Sequence, residues 1–63
     1  MRLIVVVNGM TLRSGDISEE TAEDRKTKLF NQIVYKNQIH TFIGSHGVVY
    51  IPIDRIDYFY IGE

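Results

Sequence analysis

The stretch RLIVVVNGMTLR, Arg2 to Arg13, decides how this chain folds. A β-branched run ends in Asn8-Gly9, and a second short apolar run follows it. Asn-Gly between such runs marks a two-residue type I′ hairpin, because both residues tolerate positive φ. That turn sets a register in which Val7 faces Met10, Val5 faces Leu12 and Leu3 faces Ser14. Side chains alternate across a strand, so Leu3, Val5, Val7, Met10 and Leu12 share one sheet face. Ile4, Val6, Thr11 and Arg13 share the other. The first face is expected to be core, and the second half covered or exposed.

Ser14-Gly15-Asp16 breaks this pattern, and ISEETAEDRKTKLFNQIVYKN follows from Ile17. Acids come first and bases after them, which suits the dipole of a helix. Ser18 is placed to cap it. Ala22, Leu29 and Ile33 fall on one helical face, with Phe30 and Val34 beside it. A helix is predicted over Glu19 to Val34; the polar first half leaves a long loop as the alternative.

Beyond it, Gln38 to Ile43 reads as a strand and Gly44-Ser45-His46-Gly47 as a turn. Val48 to Ile53 reads as the next strand, with Pro52 weakening its end. Asp54-Arg55 turns the chain into a last strand, Ile56 to Ile61. A two-residue turn there pairs Ile53 with Ile56, Ile51 with Tyr58 and Val49 with Tyr60. Asp-Arg is not a favoured pair for such a turn, so a longer turn or a bulge is the alternative. The expected architecture is one α+β domain over 1–63: an N-terminal β-hairpin, one helix or long loop, and a C-terminal three-stranded antiparallel meander. A small SH3-like or Sm-like β-barrel, with the middle segment inserted, is the alternative.

The closing stretch VVYIPIDRIDYFYIGE, Val48 to Glu63, barely alternates between apolar and polar. A strand with one wet face should alternate. Leaving several large apolar side chains exposed forgoes roughly 1.5–3 kcal/mol each, and a contiguous exposed patch marks an interface. A chain of 63 residues is also marginal on its own and commonly gains a disulfide, a metal or a partner subunit. It has no cysteine, so disulfides and thiolate zinc sites are excluded and a partner subunit is the expected supplement. The expected partners are a second copy of the chain and another protein, with a small anionic ligand as an alternative. Tyr50, Tyr58, Phe59, Tyr60 and Arg55 are the candidate residues on the tail, joined by Arg13 and His46.

The same residues carry little catalytic chemistry. Ser45 and His46 are adjacent on a turn, where side chains diverge, and no acid is tied to them by spacing. His40, His46 and the helix acids match no metal-ligand spacing. No enzyme activity, metal or cofactor is expected. The turn at Gly44–Gly47 leads into a strand and so is no phosphate loop of the strand–helix kind, yet its N–H groups can face an anion. A net charge of −1 disfavours nucleic acid as a partner, since nonspecific binding needs a basic surplus. Lys36 and Arg55 near the aromatics do not form a basic cluster. Arg13, Arg25, Lys26 and Lys28 become a basic patch if the helix lies beside the first hairpin. No run of apolar residues is long enough to span a membrane, and MRLIVVVNGM lacks a signal-peptide core, so a cytoplasmic location is expected.

A short chain with an Asn-Gly hairpin and a Tyr/Ile-rich tail, IPIDRIDYFYIGE, resembles the small accessory proteins of bacteriophages and prophages. The resemblance covers the whole chain in style and rests on no motif. It implies a non-enzymatic protein that acts by occupying a host enzyme, a defence complex or a signalling nucleotide.

Overall fold

The computed structural model describes residues 1–35 and 38–63. Lys36 therefore lies outside the described residues. The order is β1 (Arg2–Val7), β2 (Met10–Arg13), α1 (Glu19–Val34), β3 (Ile39–Gly44), β4 (Gly47–Pro52), a 3₁₀ turn (Ile53–Arg55) and β5 (Ile56–Gly62). The α+β class read from the sequence is the class observed: strand pair, helix, then antiparallel strands.

The first hairpin forms in the expected register, with Val7 opposite Met10 and Val5 opposite Leu12. Asn8 and Gly9 both take positive φ, 50° and 79°, as the type I′ turn requires. Helix α1 begins and ends where the charge pattern and Ser18 place it. Ser18 Oγ accepts from the Thr21 N–H at 3.1 Å, and Glu19 and Glu20 occupy the first turn, favourable to the dipole. Ala22 and Leu29, two turns apart, are fully buried, with Ile33 packed beside the core.

The last strand pairs differently from the expected meander. β5 lies antiparallel to β1 and completes a sheet of order β2-β1-β5, while β3 and β4 form a separate two-stranded ladder. The expected pairs Ile53–Ile56, Ile51–Tyr58 and Val49–Tyr60 are not made. The change lies in the turn and in one long-range bond. Ile53–Arg55 winds into a 3₁₀ turn instead of a tight hairpin. A bulge then separates the pairs Val6–Tyr58 and Val7–Ile56, leaving Asp57 as the extra residue. Its carboxylate accepts from the Gly9 N–H at 2.8 Å, which ties the start of β5 to the β1–β2 turn. A bridge between Ser14 and Gly44 joins the two sheets. That single bridge sets the end of β2 beside the end of β3.

The core lies where the inner sheet face, α1 and the β3–β4 ladder meet. Leu3, Val5, Leu29, Phe42, Ile51 and Ile53 form it, with Val7, Leu12, Ile56 and Phe59 packed against it. Met10 was expected on this face but is 66% exposed; it lies at the turn end of the edge strand β2. Phe30 and Val34 on α1 are also exposed. Ile4 and Val6, on the opposite face of β1, are buried, so the central strand is covered on both sides.

Candidate functional site

Two backbone contacts hold the β3–β4 turn against the end of β2: the Ser14–Gly44 bridge, and the Ser45 N–H donating to the Arg13 carbonyl at 3.0 Å. Between them opens a cleft of about 550 Å³ lined by Arg2, Thr11, Leu12, Arg13, Phe42 and the turn residues Gly44 to Val49. Small-molecule sites commonly span roughly 300–1,000 Å³. Gly44 permits the narrow neck, since a Cβ there would sit 3.1 Å from the Gly47 carbonyl oxygen. Gly47 has φ +151°, a conformation that L side chains rarely adopt.

The charge of this cleft is one-sided. Arg13 pairs with Ile4 across the ladder, and Arg2 precedes Ile4 by two residues, so both arginines share the outer face of the sheet. The Arg2 guanidinium donates to the Ser14 carbonyl at 3.3 Å. Among the described residues neither arginine has a carboxylate at ion-pair distance; the ion pairs are Met1 amine–Asp16, Lys26–Glu23 and Lys28–Asp24. No Asp or Glu lines the cleft, whereas His46 does. Phe42, Leu12, Val48 and Val49 supply an apolar wall.

A second cavity of about 250 Å³ lies on the helix side of β3, lined by Arg25, Lys28, Gln32, His40, Ser14 and neighbouring residues. Its His40 Nδ1–H donates to Gln32 Oε1. Burial pushes the His40 imidazole below the ordinary histidine pKa. Phe42 lines both cavities. Among the described residues no three His, Asp or Glu side chains converge as a metal site would require.

Two apolar sheet faces remain. Ile39 faces Pro52, Thr41 faces Tyr50 and Ile43 faces Val48, which sets all six on the outer side of β3–β4. Ile39, Ile43, Val48 and Tyr50 there are 57, 52, 55 and 69% exposed, and none of the six is charged. On the other sheet, Tyr58 and Tyr60 stack with ring centroids 6.2 Å apart, in register with Val6 and Ile4.

The tail and turn candidates thus separate. Arg13 and His46 both line the cleft. Tyr60 and Arg13 flank Ile4 from either side, which places Tyr58 and Tyr60 on the same sheet face as the arginines. Phe59 points the other way, opposite Val5 and against the core. Tyr50 belongs to the outer face of β3–β4. Arg55 lies at the far end, where its carbonyl accepts from the Asn8 N–H at 3.3 Å. The basic patch expected from Arg13, Arg25, Lys26 and Lys28 is divided between two cavities, with Lys26 held 2.8 Å from Glu23. Arg2 was not among the candidates, although extending the Ile4–Arg13 face by one step along β1 reaches it. No helix among the described residues is long and apolar enough to cross a membrane. Comparison of the chain with protein-family models, with curated proteins and with solved structures gives no match.

Proposed function

We propose that this chain is a small non-catalytic binding protein that works as a homo-oligomer and covers a surface of a protein partner, as an inhibitor or adaptor of the kind short phage and prophage chains represent. The observation that carries this reading is the uncharged outer face of β3–β4, with Ile39, Ile43, Val48 and Tyr50 all more than half exposed. A two-stranded ladder is marginal in water by itself. The edge of β4 away from β3 pairs with no strand among the described residues, and such edges invite another strand.

A second copy is the occupant that fits. Antiparallel pairing of β4 with its twin across a twofold axis is self-complementary. It turns two strands into four and brings no like charges together on this face. The dimer leaves Tyr58 and Tyr60 free on the other sheet, and tyrosine is enriched where proteins meet.

Sedimentation velocity and native mass spectrometry test the assembly. A dimer is expected for the wild type, and a monomer with unchanged far-ultraviolet circular dichroism for Tyr50→Lys. A wild-type chain that stays monomeric at about 100 μM, a concentration at which a dimer with micromolar Kd is mostly assembled, refutes the homo-oligomer. Photo-crosslinking from position 58 in the cell that makes the chain tests the partner. One protein adduct is expected, lost when Tyr60→Ala is added; an adduct that survives that change removes the tyrosine face from the proposal.

A further inference from the structure

We propose that the cleft between β2 and the β3–β4 turn is a binding site for a small organic phosphate. Arg2 and Arg13 take the phosphate oxygens, and Phe42, Leu12 and Val49 take the organic body. The site shares Val48 with the docking face, but its arginines and Tyr50 belong to one proposal each, so the two proposals fail separately.

Four features point to this ligand class. The first is sign. Two arginines and a histidine line one cleft with no carboxylate, in a chain whose acids outnumber its bases by eight to seven. Of the chain's acids, two hold Lys26 and Lys28, Asp57 holds the Gly9 N–H, and Asp16, which feels the Arg2 charge, is held by the N-terminal amine. The second is availability. Among the described residues Arg13 has no ion pair, and Arg2 spends one donor on the Ser14 carbonyl. A guanidinium has five donors arranged in a fork that matches phosphate.

The third feature is the composition of the walls. Inorganic phosphate needs no apolar surface, yet Phe42, Leu12, Val48 and Val49 line the same space. A mostly apolar cleft with a few convergent polar groups is the usual form of a small-molecule site. The fourth is rigidity. The Ser45 N–H to Arg13 carbonyl bond and the Ser14–Gly44 bridge fix the turn relative to β2 through the backbone. The cleft is preformed, and side chains can be truncated in it without removing the bonds that shape it. Tyr60 stands across Ile4 from Arg13 on the same sheet face, so an organic body too long for the cleft meets an aromatic ring next.

Calorimetric titration of the purified chain tests the site with adenosine 5′-monophosphate, pyrophosphate and inorganic phosphate, and with adenosine as the uncharged control. Adenosine 5′-monophosphate is expected to bind with Kd below about 1 mM, more tightly than inorganic phosphate, while adenosine does not bind. Added salt is expected to weaken it as it screens the arginines. Arg13→Ala weakens it at least about tenfold, the loss expected for charge-assisted hydrogen bonds. Arg13→Lys falls between the two. Arg55→Ala removes the same charge at the far end of the molecule and leaves binding unchanged. The proposal is overturned if neither adenosine 5′-monophosphate nor pyrophosphate binds at about 5 mM, or if Arg55→Ala weakens binding as much as Arg13→Ala. Equal affinity for inorganic phosphate and adenosine 5′-monophosphate overturns the role of the apolar wall. Circular dichroism of each variant confirms that a loss of binding is not a loss of fold.

Discussion

Replacing Ser14 with alanine should cost this protein a large share of its stability, although the change removes one oxygen atom. Ser14 is 1% exposed and stands where the β1–β2 ladder ends. Its N–H donates to the Leu3 carbonyl at 3.0 Å. Its Oγ accepts from the Leu3 N–H at 2.9 Å and donates to the Gly15 carbonyl at 2.9 Å. One residue thus satisfies both backbone groups of Leu3, itself a core residue. Alanine keeps the backbone bond and deletes the acceptor. The half-exposed Gly15 carbonyl can turn to water, but the buried Leu3 N–H loses its partner.

Leaving a buried donor unpaired costs about 1–3 kcal/mol. The middle of that range, about 2 kcal/mol, is a substantial part of the roughly 3–9 kcal/mol expected for a domain of this size. It corresponds to a fall in melting temperature of about 8–16 °C. Thermal and urea unfolding followed by circular dichroism would measure it, at one fixed protein concentration because assembly also shifts the midpoint. Ser14→Cys keeps the size and only a weak acceptor, so it should fall between. A melting temperature for Ser14→Ala within about 3 °C of wild type would show that the Leu3 N–H finds another partner and that the hydroxyl is dispensable.

Three further outcomes follow from single contacts. Asp57→Ala should lower stability by about 1 kcal/mol, read from the urea midpoint, and should quicken amide hydrogen exchange at Gly9, whose N–H the carboxylate holds. Ser18→Ala should cost about 1 kcal/mol through loss of the helix cap, with Ser18→Asp restoring it in the same unfolding assay. His40, whose pKa burial depresses in the folded chain, binds a proton more readily when unfolded. Stability is therefore full above the unfolded value of 6.5 and falls as pH drops through it towards the folded pKa. The urea midpoint should decline between about pH 7.5 and pH 5.5, and His40→Leu should flatten that slope. Asp16, whose pKa a hydrogen bond from the N-terminal ammonium lowers below 3.8, titrates beneath this window.

What the sequence discloses here is what neighbours along the chain decide. The register of the first hairpin follows from Asn8-Gly9, and the bounds of α1 from Ser18 and the order of its charges. Both are short-range chemistry, and both are read correctly. The partner of β5 is set by contacts that no local pattern contains. Asp57 reaches Gly9 across 48 positions, and the bulge that results reverses which residues of the tail face inward. Ile56, Phe59 and Ile61 then turn to the inner side, while Tyr58 and Tyr60 turn out. The cleft has the same character. Arg13 and His46 stand out individually in the sequence, but their convergence depends on the Ser45 N–H meeting the Arg13 carbonyl. The hairpin register already sets Ser14 opposite Leu3, but only the structure shows that its hydroxyl takes the buried Leu3 N–H.

The doubly apolar tail resolves into two different physical situations, and this locates the proposed assembly. In β5 the outward tyrosines lie beside Ile4 and Val6, which are buried. A tyrosine can cover an apolar neighbour with its ring and keep its hydroxyl in water. Gly62 makes room for this: a Cβ there would stand 3.2 Å from the Tyr60 ring and 3.3 Å from Ile4 Cδ1. The tail thus closes one face of its own sheet, and Tyr58 and Tyr60 are cover as well as candidate contacts. In β4 nothing comparable happens. Val48, Tyr50 and Pro52 face Ile43, Thr41 and Ile39 on a two-stranded ladder, and all six remain exposed. Removing a β5 tyrosine therefore uncovers core, whereas changing Tyr50 alters surface alone. That difference is why the dimer is assigned to β4 and tested there, where a loss of assembly cannot be mistaken for a loss of fold.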